Sequence, residues 1–187
     1  MKKLLTALLL TLALAGNAAA FGSDSQQYFP AVTNLILQSA DLSDAAWNPT
    51  GVTIPGGVAD PFGGTTAHTM TATGAFGGIY QGIASTTGTF TNSMWVRRRT
   101  GTGIILLKPA NNVNVPITVT SEWQRFSATS SVSSAIPYIG IAIVDIGDAI
   151  DIYGGQMETG SIMHRYSPTT TTTATLPAKR VPSGFGF

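Results

Sequence analysis

From Asn34 onward, apolar and polar residues alternate at the two-residue period of half-buried strands. Gly, Pro, Asn and Ser punctuate this pattern about every 10–15 residues, the spacing of an all-β sandwich or barrel. The clearest strand is expected over residues 89–99. Phe90, Met94 and Val96 fall on one side of it, with Asn92 and Arg98 in the same parity. Thr91, Ser93, Trp95, Arg97 and Arg99 fall on the other. Further strands are expected at 34–37, 67–73, 78–83, 103–107, 115–119, 122–129, 138–144 and 150–157. Residues 47–54 read as extended, because Pro49, Gly51, Pro55 and Gly56-Gly57 exclude a long helix. Residues 60–64 read as a turn, and 40–46 have room for one helical turn capped by Asp41 or Ser43. Neither βαβ units nor a long internal repeat is visible.

The two ends read differently. Lys2-Lys3, an apolar run over 4–15 and Ala18-Ala19-Ala20 have the pattern of a secretory signal peptide in residues 1–20, with Phe21 the first mature residue. The run is short for a membrane span, and the competing reading is a retained anchor helix. Residues 21–33 are a polar leader, read as a linker. Residues 34–170 hold the domain. Beyond Pro168 comes an unbroken threonine run, and 171–187 read as an extended, flexible tail.

Composition narrows the classes. Charged residues make up 10% of the chain, against roughly 25% in ordinary globular proteins. The absence of cysteine excludes disulfides, thiolate chemistry and Cys-ligated zinc. The formal net charge is +1, and cleavage after Ala20 removes two lysines and makes it −1. That balance argues against bulk nucleic-acid binding.

Candidate chemistry is sparse. His68 and His164 are the two histidines, and neither lies in a triad, nucleophile-elbow or zinc-protease motif. Glu122 and Glu158 are the two glutamates, and no facing pair of carboxylates marks a glycosidase. No catalytic residue is expected. Asp145 and Asp148, with Asp151 three residues on, raise a structural calcium ion, although the EF-hand pattern is missing and strand parity separates neighbouring members. Aromatic residues are the better lead, since flat rings pack on the apolar faces of sugars while polar side chains hold hydroxyls. Trp95, Arg97 and Arg99 share one side of their strand, and Phe76 and Tyr80 flank Gly77-Gly78 as a rim. The competing reading packs Trp95 under a loop and leaves the arginines solvated. Trp47 and Trp123 are expected in the core.

The order of landmarks carries a resemblance. Asn34-Leu35-Ile36-Leu37-Gln38-Ser39 and Ala45-Ala46-Trp47 come first. The turn Asp60-Pro61-Phe62-Gly63-Gly64-Thr65-Thr66-Ala67 follows, then Ser93-Met94-Trp95-Val96-Arg97 and Trp123-Gln124-Arg125-Phe126. Gly155-Gln156-Met157-Glu158-Thr159-Gly160 and Tyr166-Ser167-Pro168-Thr169 close the series. Together they resemble the jelly-roll domain of phage head spikes and tail fibres, a family similar in fold to carbohydrate-binding modules. The resemblance implies a jelly-roll β-sandwich of two antiparallel sheets. It further implies a virion appendage (head decoration, spike or fibre) that assembles as a homo-oligomer, a trimer above all, with other virion proteins and contacts a cell-surface glycan. The signal-like start departs from the pattern and keeps open a secreted carbohydrate-binding module without catalytic activity.

Overall fold

A computed structural model of the chain describes residues 26–84, 87–109, 113–132 and 138–182. The expected helix over 1–20 lies outside them. The described residues form strands and turns, with no helix. The strands are β1 (Gln26–Phe29), β2 (Val32–Asn34), β3 (Asn48–Thr50), β4 (Val52–Thr53), β5 (His68–Ala72), β6 (Gly77–Gly82) and β7 (Gly88–Thr100). After them come β8 (Ile105–Lys108), β9 (Val115–Ile117), β10 (Gln124–Val132), β11 (Tyr138–Ile143), β12 (Ala149–Thr159), β13 (Ala174–Leu176) and β14 (Lys179–Pro182).

The chain divides into two units. In one, β1 pairs antiparallel with β14, and the Arg180 guanidinium lies 5.9 Å from the centre of the Tyr28 ring. The other, residues 30–178, is the sandwich. Its first sheet has the order β10-β7-β12-β5-β4, its second β3-β6-β11-β8-β9, and β13-β2 forms a short ribbon. All of these pairings are antiparallel. At Gly51 the chain passes from β3 in the second sheet to β4 in the first, with φ at +61°, a value glycine adopts without strain.

Alternation places the core where the sequence puts it. Phe90, Met94 and Val96 of β7, with Ile150, Ile152 and Met157 of β12, meet Ile79, Ile105, Leu107, Ile139, Ile141 and Ile143 from the second sheet. Each such side chain contributes about 1.5–3 kcal/mol through burial. Asn92, in the same parity and fully buried, reaches the opposite sheet by donating to the carbonyls of Lys108 (2.9 Å) and Gly140 (3.2 Å).

One polar network clasps the opening of the domain to its close. The buried Asn34 amide donates to the carbonyls of Ser167 (2.9 Å) and Gly155 (3.1 Å). Its Oδ1 accepts from the backbone N–H of Met157 (3.1 Å). Ser39 Oγ accepts from Thr169 N–H (2.8 Å) and meets the Tyr166 hydroxyl at 2.7 Å, while its carbonyl accepts from Gly155 N–H (2.9 Å). Gln156 Oε1 accepts from Ser167 N–H at 2.8 Å. Trp47, also buried, donates from Nε1 to the Gln38 carbonyl at 3.1 Å.

Several expectations are corrected here. The linker read over 21–33 contains β1 and most of β2, and the tail read as flexible over 171–187 supplies β13 and β14. Threonine is β-branched and favours extended backbone, and β13 finds a partner in β2, where Thr33 and Thr175 hydroxyls meet at 2.8 Å. The strand expected at 34–37 ends at Asn34. Residues 40–46 make turns instead of a helical turn. Asp41 Oδ1 there accepts from the Ser43 N–H (3.1 Å) and hydroxyl (2.7 Å), local bonds that compete with helix.

Asn34→Ala leaves buried backbone groups of Gly155, Met157 and Ser167 without partners. It is expected to lower stability by about 3 kcal/mol, read from the midpoint of chemical denaturation. An unchanged midpoint would show that the clasp is incidental to the fold.

Candidate functional site

The outer face of the first sheet carries the polar-parity side chains of β7, and an aromatic cluster is built on them. Trp95 stands opposite Arg125 of β10 and Tyr153 of β12. Its ring centroid lies 5.2 Å from that of Tyr166, 5.3 Å from Phe62 and 6.0 Å from Tyr153, in edge-on or tilted arrangements favoured by ring quadrupoles. Phe62 arrives on the turn that Asp60 organises. Asp60 Oδ1 accepts from the N–H groups of Phe62 (2.8 Å) and Gly64 (3.1 Å), and Oδ2 accepts from the Thr66 hydroxyl (2.8 Å). The Phe62 ring caps the cluster yet remains 67% exposed.

A bulge in β12 makes room for these rings. Pairing slips between Tyr153, opposite Trp95, and Gln156, opposite Ser93. Gly154 takes φ +64°, and a Cβ there would lie 2.9 Å from Trp95 Cε3. At Gly155 a Cβ would press on Trp47 Cη2 and Ile36 Cδ1, each at 3.0 Å. The Gly-Gly pair therefore lets the face and the core both close on the same backbone.

The Arg125 guanidinium stacks 4.4 Å from the Trp95 ring centre and donates to the His164 carbonyl (2.7 Å) and the Ser93 hydroxyl (2.9 Å). Burial pulls its pKa down to about 10, opposed by nearby Glu158 and Tyr166, so it stays cationic at neutral pH. Burial raises the Tyr166 hydroxyl well above its usual range, with the Ser39 hydrogen bond opposing, so it stays neutral.

Beside the rings, Asp151 is only 2% exposed and gathers two arginines. It accepts from Arg97 Nε (2.8 Å), Arg99 Nε (2.7 Å) and Nη2 (3.1 Å), and the Thr69 hydroxyl (2.8 Å). A second bulge, where the partner of β12 jumps from Arg98 to Thr100, lets Arg97 and Arg99 reach one carboxylate. Burial opposes ionisation of Asp151, but hydrogen bonds from Arg99, Thr69 and Arg97 hold it below the usual carboxylate range. Arg97 also covers the half-buried Trp123, its guanidinium 4.9 Å from the ring centre.

The five residues expected to form one platform are divided. Trp95, Arg97 and Arg99 lie together. Tyr80 projects from the other face of the sandwich, because Ile79 and Gln81 on either side of it are buried. Its ring meets Tyr138 at 6.1 Å, with the Lys108 ammonium 5.5 Å away. Phe76 is exposed on the turn between β5 and β6. Among residues that sequence reasoning leaves off the platform, Phe62 reads as part of a turn, Tyr166 as a landmark and Asp151 as a neighbour of the possible calcium pair. Arg125 belonged to the landmark Trp123-Gln124-Arg125-Phe126 without a role on the face, and Tyr153 carried no signal of its own.

The remaining candidates have structural partners. Asp148 Oδ2 accepts from Gly103 N–H (2.7 Å) and Arg98 Nη1 (3.3 Å), and Asp145 is exposed nearby. Among the described residues, no three His, Cys, Asp or Glu side chains are grouped to hold a metal ion. Glu158, buried, accepts from His164 N–H (2.9 Å) and Gln156 Nε2 (3.0 Å), with His164 Nδ1 2.5 Å away. His68 faces Asp41 at 3.4 Å across a cleft of about 350 Å³, and burial lowers its pKa, with Asp41 opposing. The neighbouring Ser43 hydroxyl donates to Asp41.

No family model matches the chain, and no curated protein matches it. Solved structures resemble it. The CBM22-1 xylan-binding domain from Paenibacillus barcinonensis Xyn10C has a TM-score of 0.51 at 13% identity, over 74% of this chain and 97% of that one. The CBM22-1-CBM22-2 tandem domain of the same protein has a TM-score of 0.54 at 16% identity, over 71% of this chain and 46% of that one. Tailspike protein 4 of bacteriophage CBA120, in its enzymatically active domain, has a TM-score of 0.50 at 16% identity. That match covers 68% of this chain and 21% of that one. The likeness is one of fold.

Proposed function

We propose that this chain is a non-catalytic glycan-binding module whose ligand lies on the outer face of the first sheet. The observation that carries this reading is the contiguous set of Phe62, Trp95, Tyr153 and Tyr166 with arginines at its edge. Rings held edge to edge offer apolar surface to sugar C–H groups. Guanidinium and hydroxyl groups beside them supply directional hydrogen bonds. The xylan-binding function of the Paenibacillus domain, which shares the fold, supports a sugar as the ligand class.

A second reading places the module in a virion, and the clasp favours it. Asn34, Ser39, Gln156, Tyr166 and Thr169 belong to the motifs that resemble those of phage modules, and here they join one network with Ser167. The tailspike likeness in fold accords with it. In this reading the chain is an oligomeric appendage that contacts a host-surface glycan through many weak copies.

Phe62→Ala is expected to weaken binding to a glycan recognised by the wild type roughly tenfold, about 1.4 kcal/mol, without moving the unfolding midpoint. Trp95→Ala is expected to abolish it. Both are read by isothermal titration, and unchanged affinity in both variants removes the face from the binding account. Light scattering on native material tests the second reading: a trimer or particle supports it, and a monomer at all concentrations contradicts it.

A further inference from the structure

The glycan-binding face carries more guanidinium than its carboxylate can neutralise. Asp151 is one buried acid shared by two arginines. Arg99 meets it through Nε and Nη2, whereas Arg97 uses Nε alone. Among the described residues, neither terminal amino group of Arg97 and not the Nη1 group of Arg99 has a hydrogen-bond acceptor. Their side chains are 28% and 43% exposed. The donors are thus held by a fixed anchor, partly desolvated and open to solvent.

Their position matters as much as their charge. Arg97 lies two residues from Trp95 on the same side of β7, with its guanidinium over Trp123. Asp60, the acid on the Phe62 turn, has its oxygens taken by the N–H groups of Phe62, Gly64 and Thr66 and by the Thr66 hydroxyl. Glu158 is buried and bonded to His164 and Gln156. Neither is hydrogen-bonded to Arg97 or Arg99. A neutral sugar on the rings leaves the fork of donors on water. A sugar with an oxyanion satisfies it with charge-assisted bonds, roughly twice as strong as neutral ones.

We infer that the ligand of this face is an acidic glycan, whose carboxylate or sulfate ester is held by Arg97 and Arg99 while its ring packs on the Trp95 cluster. The inference rests on the glycan-binding reading above and narrows its ligand class. Arg97 supplies the larger share of the open donors. Arg99 in addition gives Asp151 its two-point ion pair, so removing Arg99 leaves a buried carboxylate with only the Arg97 and Thr69 bonds and threatens the fold. Arg97→Gln leaves the two-point Arg99–Asp151 pair and the Thr69 bond in place.

The test uses the full chain and four polysaccharides: polygalacturonate and alginate as carboxylated probes, dextran sulfate as the sulfated probe and xylan as the neutral one. Affinity electrophoresis or titration calorimetry compares them. At least one acidic polymer is expected to bind roughly tenfold or more tightly than xylan. Raising salt from about 50 mM to about 500 mM is expected to remove most of that preference. Arg97→Gln is expected to lose the preference, its affinity for the acidic polymers falling much further than its affinity for xylan. Preference confined to the carboxylated or to the sulfated probes identifies the oxyanion. Equal, salt-insensitive binding of neutral and acidic polymers overturns the inference and leaves the glycan reading standing. Binding of none overturns both. Should Arg97→Gln fail to fold, the wild-type salt series still decides between these outcomes.

Discussion

The Asn34 carboxamide is fully buried, and its donors and acceptor join a carbonyl of the β12 bulge, a carbonyl of the closing segment and the Met157 N–H. Without it, the Gly155 and Ser167 carbonyls and the Met157 N–H lose these partners inside the protein, where unpaired backbone groups are costly. Ser39, Gln156, Ser167 and Thr169 complete the same network, so the opening and the close of the domain are fixed by one set of hydrogen bonds. Tyr166 is part of that network through its hydroxyl and part of the aromatic face through its ring. The clasp therefore sets the geometry of the surface as well as the stability of the core.

Two bulges then shape the candidate site on the first sheet. At Gly154-Gly155, β12 gains a residue beneath the Trp95 ring, which no side chain could share. At Arg99, β7 gains a residue, and two arginines converge on one acid in place of facing separate partners. The buried Asp151 would be costly alone, but two guanidiniums and the Thr69 hydroxyl keep it ionised. Rigid anchoring of this kind lowers the entropy lost when the arginines meet a ligand.

Much of the fold was legible in the sequence. Alternation over β7 separated Phe90, Met94 and Val96 from Trp95, Arg97 and Arg99, and the structure keeps that division. Turn residues marked the 60–64 loop and the breaks in the 47–54 segment for local reasons of φ and side-chain bonding. What could not be read was long-range. Strand pairing between β13 and β2 depends on residues more than a hundred positions apart, and each strand is too short to leave a periodic signal. Tyr80 and Trp95 are both aromatic and shared a plausible role, yet strand order puts them on opposite faces. Phe62, Tyr153 and Tyr166 come from three distant segments, and only the folded register brings them onto Trp95.

The three tryptophans report on three regions: Trp47 on the clasp, Trp95 on the aromatic face and Trp123 beside Arg97. The most direct measurement follows their indole N–H resonances by NMR during titration with a bound polysaccharide fragment. Large shifts of Trp95 and Trp123 with Trp47 unmoved are the result this account predicts. Saturable binding that leaves Trp95 and Trp123 in place would contradict it and send the search for the site to another face.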